Sequence, residues 1–115
     1  MGNPSNDPFD NWTVQVRKGI LELCILNALE DRERYGYELV KTLAALPGFG
    51  VTEGTVYPLL SRLRAQGLVK SRLEESAEGP ARKYYALSHI GRAAVAPMNE
   101  HLTDLFSACR ELRHK

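Results

Sequence analysis

The sequence predicts a mostly α-helical fold with a small β-hairpin: a winged helix-turn-helix followed by a C-terminal dimerisation helix. Three observations predict it. The first is Gly54–Gln66, a short helical stretch with Val56, Leu59, Leu60 and Leu63 on one face at i, i+3, i+4, i+7 spacing. Its opposite face carries only the small residues Gly54, Pro58, Ser61 and Ala65. The second is a pair of strand-like segments that follow it directly, 68–74 and 82–87. The third is an apolar stripe on the last helix, Val95, Met98, Leu102, Leu105, Cys109 and Leu112, spaced 3, 4, 3, 4, 3. That spacing is an a/d seam.

The chain's bulk properties narrow the function classes. At 115 residues it is one domain. An apolar fraction of 43% and a charged fraction of 25% are ordinary for a globular protein. The formal net charge of +1 gives no argument for a polyanionic partner, but its distribution gives some. Residues 52–88 hold six cations against four carboxylates, a net of +2, so the remainder carries −1. Cys24 and Cys109 each sit in an apolar helical pattern with no metal-ligand spacing and read as reduced thiols of a cytoplasmic protein. His89, His101 and His114 likewise show no ligand spacing, so no metal and no cofactor are expected. No nucleophile–base pair, phosphate loop or paired-carboxylate motif supports an enzyme. The polar N-terminus is unlike a signal peptide, and the apolar run within Ile20–Leu29 is too short for a membrane span.

Taken in order, residues 1–11 are rich in Asn, Asp, Pro, Gly and Ser and read as a disordered tail. Residues 12–88 read as the winged helix-turn-helix, and 89–115 as the dimerisation helix. The first helix runs from about Thr13 to Glu30 and is apolar almost all round, so it needs cover on most sides. Asp31–Arg34 is a charged connector. A second helix begins at Tyr35-Gly36-Tyr37, turns Leu39, Val40 and Leu43 inward, and stops at Pro47-Gly48-Phe49-Gly50. Thr52 stands where the third helix needs an N-cap, its hydroxyl placed to accept from the Thr55 N–H. Gly67 is the stop signal. Pro58 conflicts with the helix locally, since its ring crowds the Gly54 carbonyl; a bend or loosened first turn is expected, not a break.

In the hairpin, Val69, Ser71 and Leu73 alternate against Lys70, Arg72 and Glu74, with Glu75–Ala81 as a long tip and Arg82 and Lys83 at the tip end. Tyr84 and Tyr85 point to opposite faces, one of them to the core. Ser88 caps the last helix, and Pro97 is expected to kink it near Ala93. The seam on that helix either packs back on its own domain or meets a second copy; a domain already closed by three helices and a wing favours the second copy. A cleft between the first and last helices, lined by Ile20, Leu23, Val95, Met98, Leu102 and Phe106, would suit an apolar effector unless the dimer core fills it. Tyr57 faces either a nucleic acid or the helix–wing junction, and Tyr35 and Tyr37 read as packing around Gly36.

Three blocks resemble the PadR family of bacterial transcriptional regulators. They are Tyr35-Gly36-Tyr37-Glu38-Leu39; Gly54-Thr55-Val56-Tyr57-Pro58 with Leu60, Arg62-Leu63 and Gly67-Leu68-Val69; and Gly79–Ser88 with Gly91-Arg92. The resemblance implies a homodimer that binds double-stranded DNA at a palindromic operator, represses transcription, and is released by a small phenolic or hydrophobic effector. It tips Tyr57 towards DNA. The expected DNA contacts are Thr55, Tyr57, Pro58, Ser61 and Arg62 on the third helix and Arg82 and Lys83 on the wing. In multidrug-binding relatives an aromatic residue on the last helix stacks the ligand; the matching residue here is Leu102, and the chain's only tryptophan is Trp12. The alternative is a winged-helix adaptor that docks a protein through the same surface. Steep salt dependence separates DNA binding from that alternative.

Overall fold

The computed structural model describes residues 7–114. Helix α1 spans Pro8–Ala28, strand β1 Arg34–Tyr35, helix α2 Gly36–Ala44 and helix α3 Glu53–Ala65. Strands β2 (Val69–Ser76) and β3 (Gly79–Leu87) form the hairpin, and helix α4 (His89–Glu111) ends in a 3-10 turn at Leu112–His114. The antiparallel sheet has the order β1-β3-β2.

The apolar periodicities converge on one core. α1 and its C-cap contribute Leu21, Ile25, Leu26 and Leu29, α2 Leu39, Val40 and Leu43, and α3 Val56, Leu60 and Leu63. Val69, Tyr85 and Leu87 close it from the hairpin, and Val95 from α4. Each fully buried aliphatic side chain stabilises the fold by about 1.5–3 kcal/mol relative to an exposed one. α3 is therefore fixed by its apolar face, and its small face is left free.

Helix ends follow local chemistry. Gly67, at φ +81°, ends α3 in a Schellman motif, with Leu68 N–H donating to Leu63 O and Gly67 N–H to Arg64 O, both at 3.0 Å. The Ser88 hydroxyl caps α4 by accepting from Gly91 N–H at 3.0 Å. α3 and α4 run unbroken through Pro58 and Pro97. Thr52 is the N-cap of α3, but its hydroxyl lies 3.3 Å from Thr55 Oγ1, and the Thr55 N–H donates to the Thr52 carbonyl instead.

Several sequence expectations are corrected. Residues 8–11 are not tail but the first turn of α1. Asp7 Oδ1 accepts from Phe9 N–H at 2.9 Å, and Pro8 takes a first-turn position where no N–H is needed. The rest of that expected tail, residues 1–6, lies outside the described residues. The charged connector is as expected, and its side chains are paired. Arg34 donates to Ala28 O at the end of α1 and pairs with Glu38 and Asp31, and with Tyr35 it forms β1. The hairpin tip is two residues, Ala77-Glu78, because Ser76 pairs with Gly79. Leu73 shares the strand face of the buried Val69 but is exposed, because the wing projects past the core.

Candidate nucleic-acid interface

The outward face of α3 is small and polar. Pro58, Ser61 and Arg62 are exposed, and Thr55 is half-buried near the N-terminal end. Ser61 and Ala65 line a shallow hollow together with Arg64, a cation absent from the sequence-predicted contacts. Tyr57 serves two purposes. Its ring lies against Gly36, where an added Cβ would stand 3.1 Å from Tyr57 Cε1 and 3.3 Å from Tyr85 Cε2. Burial there pushes its phenol above the ordinary tyrosine value, while 36% of the residue stays exposed. Tyr57 and Tyr85 thus pack on Gly36 from α3 and β3, beside its chain neighbours Tyr35 and Tyr37.

Arg62 is not free to point outward. Its Nε stands 3.2 Å from Glu22 Oε2 on α1, although the guanidinium side is largely exposed. That carboxylate oxygen is buried and accepts no well-formed hydrogen bond, so the contact is an ion pair. Arg62 must exchange this partner to reach a base.

The wing separates the two cations that sequence places together. Cross-strand partners share a face, so Lys83 and Leu73 lie on the side of Tyr85 and the helical core. Arg82, Glu74, Tyr84 and Arg72 lie on the other side. Arg82 stacks over the Tyr35 ring at 4.8 Å. Lys83 is therefore the wing cation on the recognition-helix side. Glu74, Glu75 and Glu78 surround the tip and would repel a phosphate backbone there.

α4 packs on α1 near its start, where Asn27 and Asn99 exchange amide hydrogen bonds of 3.0 and 2.7 Å. Beyond that point a hollow of about 380 Å³ opens between the two helices, lined by Gly19, Leu23, Pro97, Met98, His101, Leu102 and Leu105. Leu23, Met98 and Leu102 are where the sequence placed them. Val95 is not in the cleft but in the core at 1% exposure, because α4 still touches its own domain there. Ile20 and Phe106 do not line it; Gly19 and Leu105 present the facing helical positions instead.

Three core helices, a free small-faced third helix and an antiparallel wing define a winged helix-turn-helix DNA-binding protein. Residues 25–97 match the transcriptional regulator PadR-like family, and the chain belongs to it. It is 34% identical over 91 residues to transcriptional regulator Rv3488 of Mycobacterium tuberculosis, covering 79% of this chain and 83% of that one. A solved PadR-like transcriptional regulator of Bacillus cereus is 35% identical with a TM-score of 0.74, over 85% of this chain and 95% of its own. A PadR family regulator of Eggerthella lenta is 30% identical with a TM-score of 0.80, over 90% of each chain. Members of the family are DNA-binding transcriptional regulators, not enzymes. Among the described residues no helix is long and apolar enough to cross a membrane.

Proposed function

We propose that this chain is a cytoplasmic, homodimeric repressor of a palindromic operator, released by a small hydrophobic or phenolic effector held between α1 and α4. The observation that carries the reading is the uncovered stripe on α4. Leu105 and Phe106 are 52% exposed and Leu112 is 73% exposed, and the stripe is continuous with the α1–α4 hollow. A contiguous apolar surface of this kind calls for a partner. A second copy related by a two-fold axis presents the same stripe in return. The same axis brings two recognition helices to one side, and operator binding requires them about 34–36 Å apart, the spacing of successive major grooves.

The hollow falls in the lower range of ligand sites, about 300–1,000 Å³. Apart from His101 its lining is apolar, with one adaptable methionine, which favours apolar ligands of varied shape. Trp12 stands two helical turns before Gly19 on the same face of α1, so it is placed to report occupancy. A ligand there releases DNA only if it favours a different spacing of the two recognition helices.

The experiment combines light scattering, a gel shift with the DNA upstream of the chain's own gene, and Trp12 fluorescence titrated with phenolic acids and hydrophobic cations. A dimer that shifts the DNA and is displaced by a ligand that alters Trp12 emission supports the proposal. A monomer at micromolar concentration overturns the dimer. A dimer whose core is packed solid, with no compound bound by wild type or by Leu102→Trp, overturns the effector.

A further inference from the structure

The outer part of the wing has no hydrophobic anchor. From Arg72 to Lys83 nearly every residue is exposed, and only Val69, Tyr85 and Leu87, at its base, reach the core. The hairpin's own ladder fixes its shape but not its direction relative to α3. Beyond the β1–β3 pairing at Tyr84 and Tyr85 and the rings stacked on Tyr35, an ion pair ties the wing to the connector. Arg72 grips Glu33, in the connector before β1, with two guanidinium nitrogens: Nε donates to Oε2 at 3.1 Å and Nη2 to Oε1. Its third nitrogen, Nη1, donates to Glu74 Oε1 at 2.7 Å. The guanidinium lies over the Tyr84 ring at 4.9 Å, and Tyr84 in turn packs on Tyr35 with ring centroids 5.9 Å apart. Arg82 closes the far end of this row over Tyr35. The forked contact with a carboxylate is directional as well as attractive.

We propose that Arg72 is a positioning residue for DNA binding: clamped by Glu33, it holds the wing at the angle that presents Lys83, and it does not itself touch the phosphates. Each of its three nitrogens already donates to a carboxylate, and the side chain lies on the sheet face opposite Lys83. The inference rests on the DNA-binding reading of the site but is testable apart from it.

The sign of the Glu33→Ala effect is decisive. If Glu33 acts only through its charge, removing a carboxylate near DNA strengthens binding. If it holds the wing, its removal weakens binding. The assay is fluorescence anisotropy with a labelled duplex of the DNA upstream of the chain's own gene, across a salt series. Arg72→Ala, Arg72→Lys and Glu33→Ala are each expected to weaken binding roughly threefold to tenfold, with the double variant no worse than either single one. Arg72→Lys keeps the charge and loses the fork, so it falls with the others. The slope of log affinity against log salt stays at its wild-type value, because no phosphate contact is lost. A DNA-free readout accompanies it: nitrogen-15 order parameters of the Ala77 and Glu78 amides fall in Glu33→Ala, while the melting temperature drops only slightly because the pair is exposed. Tighter binding by Glu33→Ala, or a salt slope reduced by about 0.9 in Arg72→Ala, overturns the proposal. Should wild type bind no specific duplex, the operator reading fails, and unchanged order parameters alone then overturn the wing clamp.

Discussion

Gly91→Ala probes the junction on which the whole arrangement hangs. Gly91 lies in the first turn of α4, and an added Cβ would overlap the carbonyl oxygen of Leu68 and stand 2.9 Å from its carbon. Those are backbone atoms at the turn between α3 and β2, so no side-chain rotation relieves the overlap. The same carbonyl accepts from Ser88 N–H at 3.1 Å, and the Ser88 hydroxyl bonds both Gly67 O, at 2.5 Å, and Gly91 N–H. Restoring ordinary contact needs the two segments to part by about 1 Å, a forced overpacking of about 1–3 kcal/mol. It also loosens the Ser88–Leu68 hydrogen bond, about 1 kcal/mol more. A loss near 3 kcal/mol is a large part of a small domain's total stability and corresponds to a fall of roughly 10–20 °C in Tm. Urea and thermal unfolding followed by circular dichroism measure it. Gly54→Ala is the control: its Cβ would meet only Thr52 Oγ1 at 3.7 Å, and it should be neutral or slightly stabilising. A Gly91→Ala melting temperature within about 2 °C of wild type would refute the packing argument.

Leu105→Asp places a charge in the exposed α4 stripe; light scattering should then show monomer or aggregate where wild type is a dimer. Lys83→Ala should weaken binding to all sequences alike and lower the salt slope by about 0.9, measured by anisotropy at several salt concentrations. Arg62→Ala should cost about 1–3 kcal/mol of operator affinity if Arg62 reads a base, with relaxed sequence choice at one position. Glu22→Gln removes the charge that holds Arg62 on α1 and should tighten the operator complex; weaker binding would mean that Glu22 orients Arg62 for contact. The hydrogen bond from Arg72 holds the Glu33 carboxyl below the usual carboxylate range. A lowered folded value means that the pair stabilises the fold at neutral pH, and this contribution is lost as pH falls through the folded value. Arg72→Ala should therefore show a shallower loss of stability on acidification, read from urea midpoints at successive pH values.

What the sequence determined by itself is whatever depends on neighbours within a few residues. The apolar face of α3, the Ser88 cap, the Gly67 stop and the strand alternation were all legible, because helix and strand periods repeat over three or four positions. The family motifs rest on the same short blocks. Even locally, the tail reading missed Asp7-Pro8, where composition hid a capping pair. The tertiary structure alone decided which charges are free. Arg72 meets Glu33 across 39 residues, and Arg62 meets Glu22 and Arg82 meets Tyr35 across comparable separations. No periodicity encodes such pairs; they exist because the sheet order β1-β3-β2 and the packing of α3 on α1 bring the partners together. Val95 shows the same limit within the α4 seam. Its spacing equals that of Leu105, yet one is core and the other surface, because the helix outruns the domain that buries its first turns.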